Sequence, residues 1–141
     1  MICQNRIRIL LVSNLILISF SLSPAQPRKM KPIATGIWGG PHINITVAAK
    51  SATIEYDCGH GTITGPLVVD SKGHFKLRGT HTMERGGPVR RDETPNQHPA
   101  LYTGSIKGDS MTLTVKLSDT DETLDTYTLV HGKSGRVFKC L

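Results

Sequence analysis

The stretch that decides the fold is Ser110-Met111-Thr112-Leu113-Thr114-Val115-Lys116-Leu117, in which polar and apolar residues alternate without interruption. Successive side chains of a β-strand point to opposite faces, so this pattern predicts a strand with one face in a core and the other in solvent. A helix would instead bring apolar residues back every three or four positions. The stretch therefore indicates a half-buried β-sheet.

The same period of two recurs in seven other stretches of the chain. They cover residues 43–49, 53–57, 63–69, 75–83, 101–107, 123–131 and 137–141. Short clusters of Gly, Asp, Ser and Lys separate them, and no window has the period of a helix. This spacing predicts an all-β fold, an antiparallel up-and-down meander of about eight strands. We expect a small barrel, lipocalin-like or similar, rather than a sandwich, because closure leaves no exposed sheet edge.

The N-terminus has the pattern of a secretory signal peptide over residues 1–25. Arg6 and Arg8 precede an apolar run over 9–22, and Ser23-Pro24-Ala25 supplies small residues that favour cleavage after Ala25. The run has 14 residues, fewer than the roughly 20 that a spanning helix needs. We therefore predict a secreted or periplasmic protein with no stable membrane span after cleavage. An uncleaved anchor is the alternative.

Removal of the signal leaves 116 residues, the size of a single domain. We divide them into a flexible, basic leader over 26–34 and a barrel-like domain over 35–141. The formal net charge falls from +6 to +4, because Arg6 and Arg8 leave with the signal. Binding to nucleic acid is not expected, because the chain has no block of Lys and Arg and no aromatic residues placed to stack on bases.

Cysteine counting indicates a disulfide. Cys3 leaves with the signal, and Cys58 and Cys140 remain, separated by 82 positions. Two cysteines in an exported domain most often pair; a free thiol or a metal ligand is the alternative. By strand phase Cys58 shares a face with Tyr56 and Cys140 shares one with Phe138, so both are expected to point into the core.

Two glycine-bearing clusters are candidates for a site. In Gly36-Ile37-Trp38-Gly39-Gly40-Pro41-His42, Trp38 either plugs one barrel end or stacks on a ligand at the barrel mouth, with His42 beside it. In Asp57-Cys58-Gly59-His60-Gly61, the residue types allow three interpretations: a Cys nucleophile with His60 as base, a metal site with His42, or a turn with His60 at its tip. We favour the turn, because a disulfide competes for Cys58.

His81 and a long loop complete the candidates. His81 shares an inward face with Phe75, Leu77 and Met83, where it is either a core residue or part of an internal pocket. The connection over residues 84–99 is long and polar and has three prolines, which is common for functional lids and for mobile loops. Its Arg85, Arg90 and Arg91 either bind an anionic ligand or balance the acidic residues of the same loop.

Catalytic motifs are missing from the sequence. It has no nucleophile elbow, phosphate loop, paired carboxylates on one strand, nucleotide fingerprint or metal-ligand spacing of histidines. We therefore assign no catalytic residue, metal or cofactor and lean against an enzyme, although the Cys58/His60 enzyme remains a remote alternative.

Several segments together carry a family resemblance. They are Trp38-Gly39-Gly40-Pro41-His42-Ile43, Glu55-Tyr56-Asp57-Cys58-Gly59-His60-Gly61-Thr62-Ile63, Gly86-Gly87-Pro88, Tyr102-Thr103-Gly104, Met111-Thr112-Leu113-Thr114-Val115 and Phe138-Lys139-Cys140-Leu141. The chain resembles a family of small exported bacterial β-proteins of unknown function, which implies bacterial export and a joint role for the two remaining cysteines. In architecture it is also similar to periplasmic lysozyme inhibitors, whose Ser-rich inhibitory motif is not found here.

The sequence leads to a ranked set of functions. The first is an exported, non-enzymatic β-barrel that binds a small ligand or another extracytoplasmic macromolecule at one barrel end. Trp38, His42, His60 and the 84–99 loop are its expected exposed elements. The second is an inhibitor of a cell-wall or proteolytic enzyme that acts through the same loop.

Overall fold

The computed structural model describes residues 29–88 and 90–140. The predicted signal peptide and the first three residues of the predicted leader, 26–28, lie outside the described residues. The two described ranges contain ten strands: β1 (Lys31–Pro32), β2 (Gly36–Gly40), β3 (Ile43–Val47), β4 (Ser51–Tyr56), β5 (Gly59–Thr64), β6 (Val68–Val69), β7 (His74–Met83), β8 (Asn96–Lys107), β9 (Ser110–Leu117) and β10 (Thr123–His131). Within this part of the chain no helix is long and apolar enough to cross a membrane.

Eight of these strands form a closed barrel in the order β10-β2-β3-β4-β5-β7-β8-β9. Each barrel strand is antiparallel to both of its neighbours in this order, and β10 pairs with β2 to close the barrel. The remaining two, β1 and β6, pair with each other as a separate two-stranded sheet. The all-β fold and its up-and-down barrel, predicted from the period-two pattern, are confirmed.

The barrel interior is filled by the alternate residues that the pattern marked. Along β9, Met111, Leu113, Val115 and Leu117 are buried at 3% exposure or less, and Ser110 and Thr112 are exposed. Burying an aliphatic side chain of this size contributes about 1.5–3 kcal/mol. Such inward residues, contributed by all eight barrel strands, form the core.

The identity of the eighth barrel strand differs from the prediction. The sequence pattern favoured residues 137–141, but the eighth strand is β2, whose three glycines weaken its strand signal. The C-terminal tail (residues 132–140) instead runs back along the outside of β2, and Pro41 and Arg136 form a parallel bridge. A side chain on Gly39 would collide with it, because a Cβ there would lie 2.0 Å from the Gly135 nitrogen.

The turn predicted at Gly59-His60-Gly61 is also in a different place. These residues begin β5, and the chain reverses at Asp57 and Cys58, where Cys58 has a φ of 55°. Gly61 serves packing rather than turning, because a Cβ there would lie 2.2 Å from the Tyr102 hydroxyl. His60 consequently lies on the outer face of a strand and not at a turn tip.

Two predicted boundaries move as well. The leader predicted over 26–34 is partly structured, because β1 pairs with β6 and Ile33 is only 5% exposed. The loop predicted over 84–99 ends earlier, because β8 begins at Asn96. Pro99 lies inside β8, opposite Thr80 of β7 and just before Ala100, where pairing with β9 begins.

Four connections meet at one end of the barrel. They are residues 41–42, 57–58, 84–95 and 118–122, and we call this end the hairpin end. Within the described residues, the three non-glycine residues with positive φ, His42, Cys58 and Asp121, all lie here. Backbone strain of this kind is common at functional sites.

Candidate functional site

A groove opens on the barrel surface at the hairpin end, between β2, β10 and the tail. Its volume is about 670 Å³. It is lined by Gly39, Gly40, Pro41, His42, Thr128, Val130, Lys133, Ser134, Arg136 and Phe138. The Phe138 side chain is 51% exposed, and the Arg136 guanidinium carbon lies 5.1 Å from the centre of its ring. The site therefore combines apolar surface with basic groups.

The tail that forms one wall of the groove is held at successive points. The Gly135 N–H donates to Asn44 Oδ1 at 3.1 Å, and the His42 N–H donates to the Arg136 carbonyl at 2.9 Å. Further on, the Phe138 N–H donates to Asp57 Oδ1 at 2.7 Å. The wall is thus fixed to the barrel, which limits the ordering that a ligand would have to induce.

The disulfide between Cys58 and Cys140 is present, as the cysteine count predicted. Its predicted position in the core is wrong: Cys58 is half-buried in the β4–β5 turn and Cys140 is exposed. Strand phase failed because β4 ends at Tyr56 and the tail is not a strand. The bond fastens the end of the tail to the hairpin end and occupies the Cys58 sulfur, so the Cys58/His60 pair has no thiol.

Histidine–carboxylate pairs surround the hairpin end. Nδ1 of His42 lies 2.5 Å from Asp57 Oδ2, and Nδ1 of His60 lies 2.7 Å from Glu84 Oε1. The Phe138 N–H, and then His42, lower the pKa of Asp57. The His60 ring, and then the ammonium of Lys139, lower the pKa of Glu84. Both carboxyl groups therefore stay charged to a lower pH than is usual for their type.

A third such pair lies nearby, between His98 of β8 and Asp119 of the β9–β10 turn. Nδ1 of His98 is 2.6 Å from Asp119 Oδ2, and its Nε2 is 2.9 Å from Asn96 Oδ1. The His98 ring lowers the pKa of Asp119. Because both ring nitrogens are engaged, His98 is held in one orientation beneath the β9–β10 turn.

His81 points into the barrel, as predicted, and is 6% exposed. Its ring centre is 5.2 Å from that of Tyr56, and neither His81 Nδ1 nor the Tyr56 hydroxyl has a hydrogen-bond partner among the described residues. Burial, and then His98 and His60, lower the pKa of His81. Burial raises the pKa of Tyr56, and the neighbouring Tyr102 adds to the shift. His81 is thus a neutral interior histidine that does not line the groove.

Trp38 is not an exposed element of the site, contrary to the prediction. It is 1% exposed, its Nε1 donates to the Ala34 carbonyl at 3.0 Å, and its ring centre lies 4.7 Å from that of His131. The glycines beside it let the tail cover the outer face of β2 and leave Trp38 on the inner face. The ring therefore serves the core.

The arginines of the 84–95 connection do not join the groove. Arg85 pairs with Glu93, and this guanidinium lowers the pKa of Glu93. Arg90 and Arg91 are exposed, and the Glu93 N–H donates to the Arg90 carbonyl at 3.2 Å. The loop thus has internal order and presents two basic side chains to solvent.

The groove brings together residues that the sequence analysis did not select. Of the predicted binding residues only His42 lines it. The sequence pattern assigns Phe138 to a strand over 137–141 and leaves Lys133 and Arg136 in the connection before it, so none of the three was selected. The only hint in the sequence was the cluster Lys133, Arg136 and Lys139 next to an aromatic residue.

In comparisons with known proteins the chain matches no protein-family model, no curated protein and no solved structure. Among the described residues, no group of three His, Cys, Asp or Glu side chains is placed to hold a metal ion. The disulfide is compatible with an extracytoplasmic location.

Proposed function

We propose that this protein is an exported, non-enzymatic β-barrel that binds a ligand with an apolar part and a negative charge at its hairpin end. The observation that carries the proposal is the groove between β2, β10 and the tail. It presents an exposed phenyl ring, Phe138, with Arg136 over it and Lys133 and His42 nearby. Binding pockets typically combine an apolar lining with a few placed polar groups.

The disulfide supports the part of the proposal that concerns export, because disulfides form and persist outside the cytoplasm. We expect the full-length gene product to be recovered from the medium or the periplasm as a chain beginning at Gln26. Intact mass spectrometry measures this directly. A chain that retains residues 1–25 would contradict cleavage without affecting the groove.

A thermal-shift screen of the exported chain tests ligand binding. Lipids, fatty acids, sugars, haem and metal ions serve as probes, and we expect anionic amphiphiles to raise Tm. Binding to the folded state alone raises stability as ligand exceeds Kd. A screen in which none of the probes raises Tm would count against a small ligand.

Two matched alanine substitutions locate the site. Phe138→Ala should remove the Tm rise, whereas Ile37→Ala, which truncates a 40% exposed residue on the outer face of β2, should leave it in place. Retention of the shift in the Phe138→Ala chain would place binding elsewhere.

A second candidate function is inhibition of a cell-wall or proteolytic enzyme through the 84–95 connection. The Arg85–Glu93 ion pair favours it, because a loop with internal order loses less entropy when it binds. Replacing residues 86–94 by a short Gly-Ser linker should abolish inhibition while the barrel remains folded. Unchanged inhibition by this variant would show that the 84–95 connection is not the inhibitory element.

A further inference from the structure

Strand β10 closes the barrel over only a small part of its length. It pairs with β2 at two positions, Val130 with Gly39 and His131 with Trp38. On its other side it pairs with β9 at seven positions between Thr123 and Val130. Within the described residues, the side of β10 that faces away from β9 therefore has no strand partner over residues 123–128, and this edge borders the groove.

Backbone groups on this edge point towards the groove. A Cβ on Gly40 would lie 2.1 Å from the Thr128 carbonyl oxygen, so that oxygen faces β2 and not β9. In an antiparallel pair the backbone groups of residues two apart point the same way. Thr126 therefore presents its N–H and C=O groups to the same side, whereas the pairing of β10 with β9 is irregular between Thr123 and Asp125, so this direction does not extend to Leu124. The Thr126 N–H donates to Asp125 Oδ1 at 2.6 Å, consistent with this direction.

The groove beside this edge is basic. Lys133 and Arg136 make no ion pair among the described residues, and both line the groove. The nearby carboxylates are occupied: Asp57 pairs with His42, and Asp125 caps the Thr126 N–H. An approaching chain thus meets two uncompensated cations and an exposed phenyl ring.

We propose that the groove takes an extended acidic segment of a partner protein, which adds to the free edge of β10 as a further strand. Main-chain hydrogen bonds to Thr126 and Thr128 would hold its backbone. Alternate side chains lie on one face of a strand, so acidic residues two apart would meet Arg136 and Lys133. The proposal rests on the proposed binding function and names the class of its ligand.

Fluorescence anisotropy with three labelled peptides of equal length tests the proposal. An alternating Glu-Val peptide should bind the exported chain. An alternating Lys-Val peptide, with the opposite charge, should not bind. An alternating Glu-Pro peptide keeps the charge but lacks half of the N–H donors, so we expect its affinity to be at least about tenfold lower.

Three substitutions assign the interaction to the groove. Arg136→Glu should weaken Glu-Val binding by about tenfold or more, whereas Lys107→Glu, the same charge change at the opposite barrel end, should leave it nearly unchanged. Asp125→Ala should strengthen binding, because it frees the Thr126 N–H and removes a like charge. Bound peptide should also slow hydrogen exchange of the Thr126 amide.

Particular outcomes would overturn the proposal. Equal binding of the Glu-Val and Glu-Pro peptides would mean charge attraction without strand addition. Failure of the Glu-Val peptide, together with a Tm rise from small anionic amphiphiles, would leave the proposed binding function standing and exclude an extended peptide. Concentration-dependent dimers lost with Arg136→Glu would mean that a second copy occupies the edge.

Discussion

Asp57 accepts the backbone N–H of Phe138 through Oδ1 at 2.7 Å, across 81 positions of the chain. Its other oxygen lies 2.5 Å from His42 Nδ1, so one carboxylate joins the β4–β5 turn, the β2–β3 turn and the tail. The same tail forms a wall of the groove. Substitutions of Asp57 should therefore change both the free energy of unfolding and ligand binding in the groove.

Stability should fall in acid partly through this carboxylate. The pKa of Asp57 is lowered in the folded chain, below the value of about 3.9 in an unfolded chain. Its contribution is therefore present above the unfolded value and is lost as pH falls through the folded value. The midpoint of urea unfolding, measured between about pH 7 and pH 2.5, should drop below about pH 4.

An Asp57→Asn chain isolates this effect. Its amide oxygen still accepts the Phe138 N–H, but the side chain no longer titrates. We expect the midpoint of urea unfolding to fall less steeply in acid for the Asp57→Asn chain than for the unaltered chain. The remaining acidic residues contribute equally in the two chains, so the difference between them reports Asp57. Parallel curves would show that Asp57 has no part in the pH dependence.

Loss of the disulfide should loosen the tail without opening the barrel. Cys58 and Cys140 close a loop over 82 positions, and removing such a bond typically costs about 2–4 kcal/mol. A chain with both cysteines replaced by serine should show this decrease in the free energy of urea unfolding, with its strand circular dichroism intact. The unaltered chain in reductant is the matched control and should give the same value. A collapse of the β signal would mean that the bond maintains the barrel itself.

The barrel could be predicted from the alternation of polar and apolar side chains. The groove could not, because the strand that forms part of it, β2, is rich in glycine. In β9 every second residue is apolar, and the pattern fixes both the strand and its inner face. In β2, three of the five residues are glycines, and the pattern carries little information. The reason for Gly39 lies nearly a hundred positions away, in the tail that passes over it. A contact between residues so far apart in the chain produces no periodic pattern in the sequence from which it could be predicted.

For the cysteines, too, one property could be predicted from the sequence and another could not. Counting them sufficed to predict the bond between Cys58 and Cys140. Placing them required knowing that β4 ends at Tyr56 and that the chain turns immediately after it. Strand phase extrapolated by two residues therefore predicted the wrong environment for Cys58.

Two buried tyrosines should respond differently to loss of the hydroxyl. The Tyr102 hydroxyl donates to the Thr80 carbonyl at 2.7 Å, whereas the equally buried Tyr56 hydroxyl has no partner among the described residues. Tyr102→Phe should lower the free energy of unfolding by about 1 kcal/mol, because it removes a buried hydrogen bond. Tyr56→Phe removes an unpaired polar atom and should be neutral or stabilising. Urea unfolding of both variants measures this contrast, and an equal loss in the two would contradict it.

Adding a methyl group at Gly39 should displace the tail. A Cβ there would lie 2.0 Å from the Gly135 nitrogen and 2.5 Å from the Lys133 carbonyl oxygen. Both are backbone atoms, so the clash cannot be relieved by rotating a side chain. We expect Gly39→Ala to cost about 1–3 kcal/mol of stability and to expose Arg136 to trypsin. Ile37→Ala, on the same outer face of β2 but outside the groove lining, serves as control. It should keep the cleavage rate of the unaltered chain. If Gly39→Ala left both stability and cleavage unchanged, the tail would not pack against β2 as the structure shows.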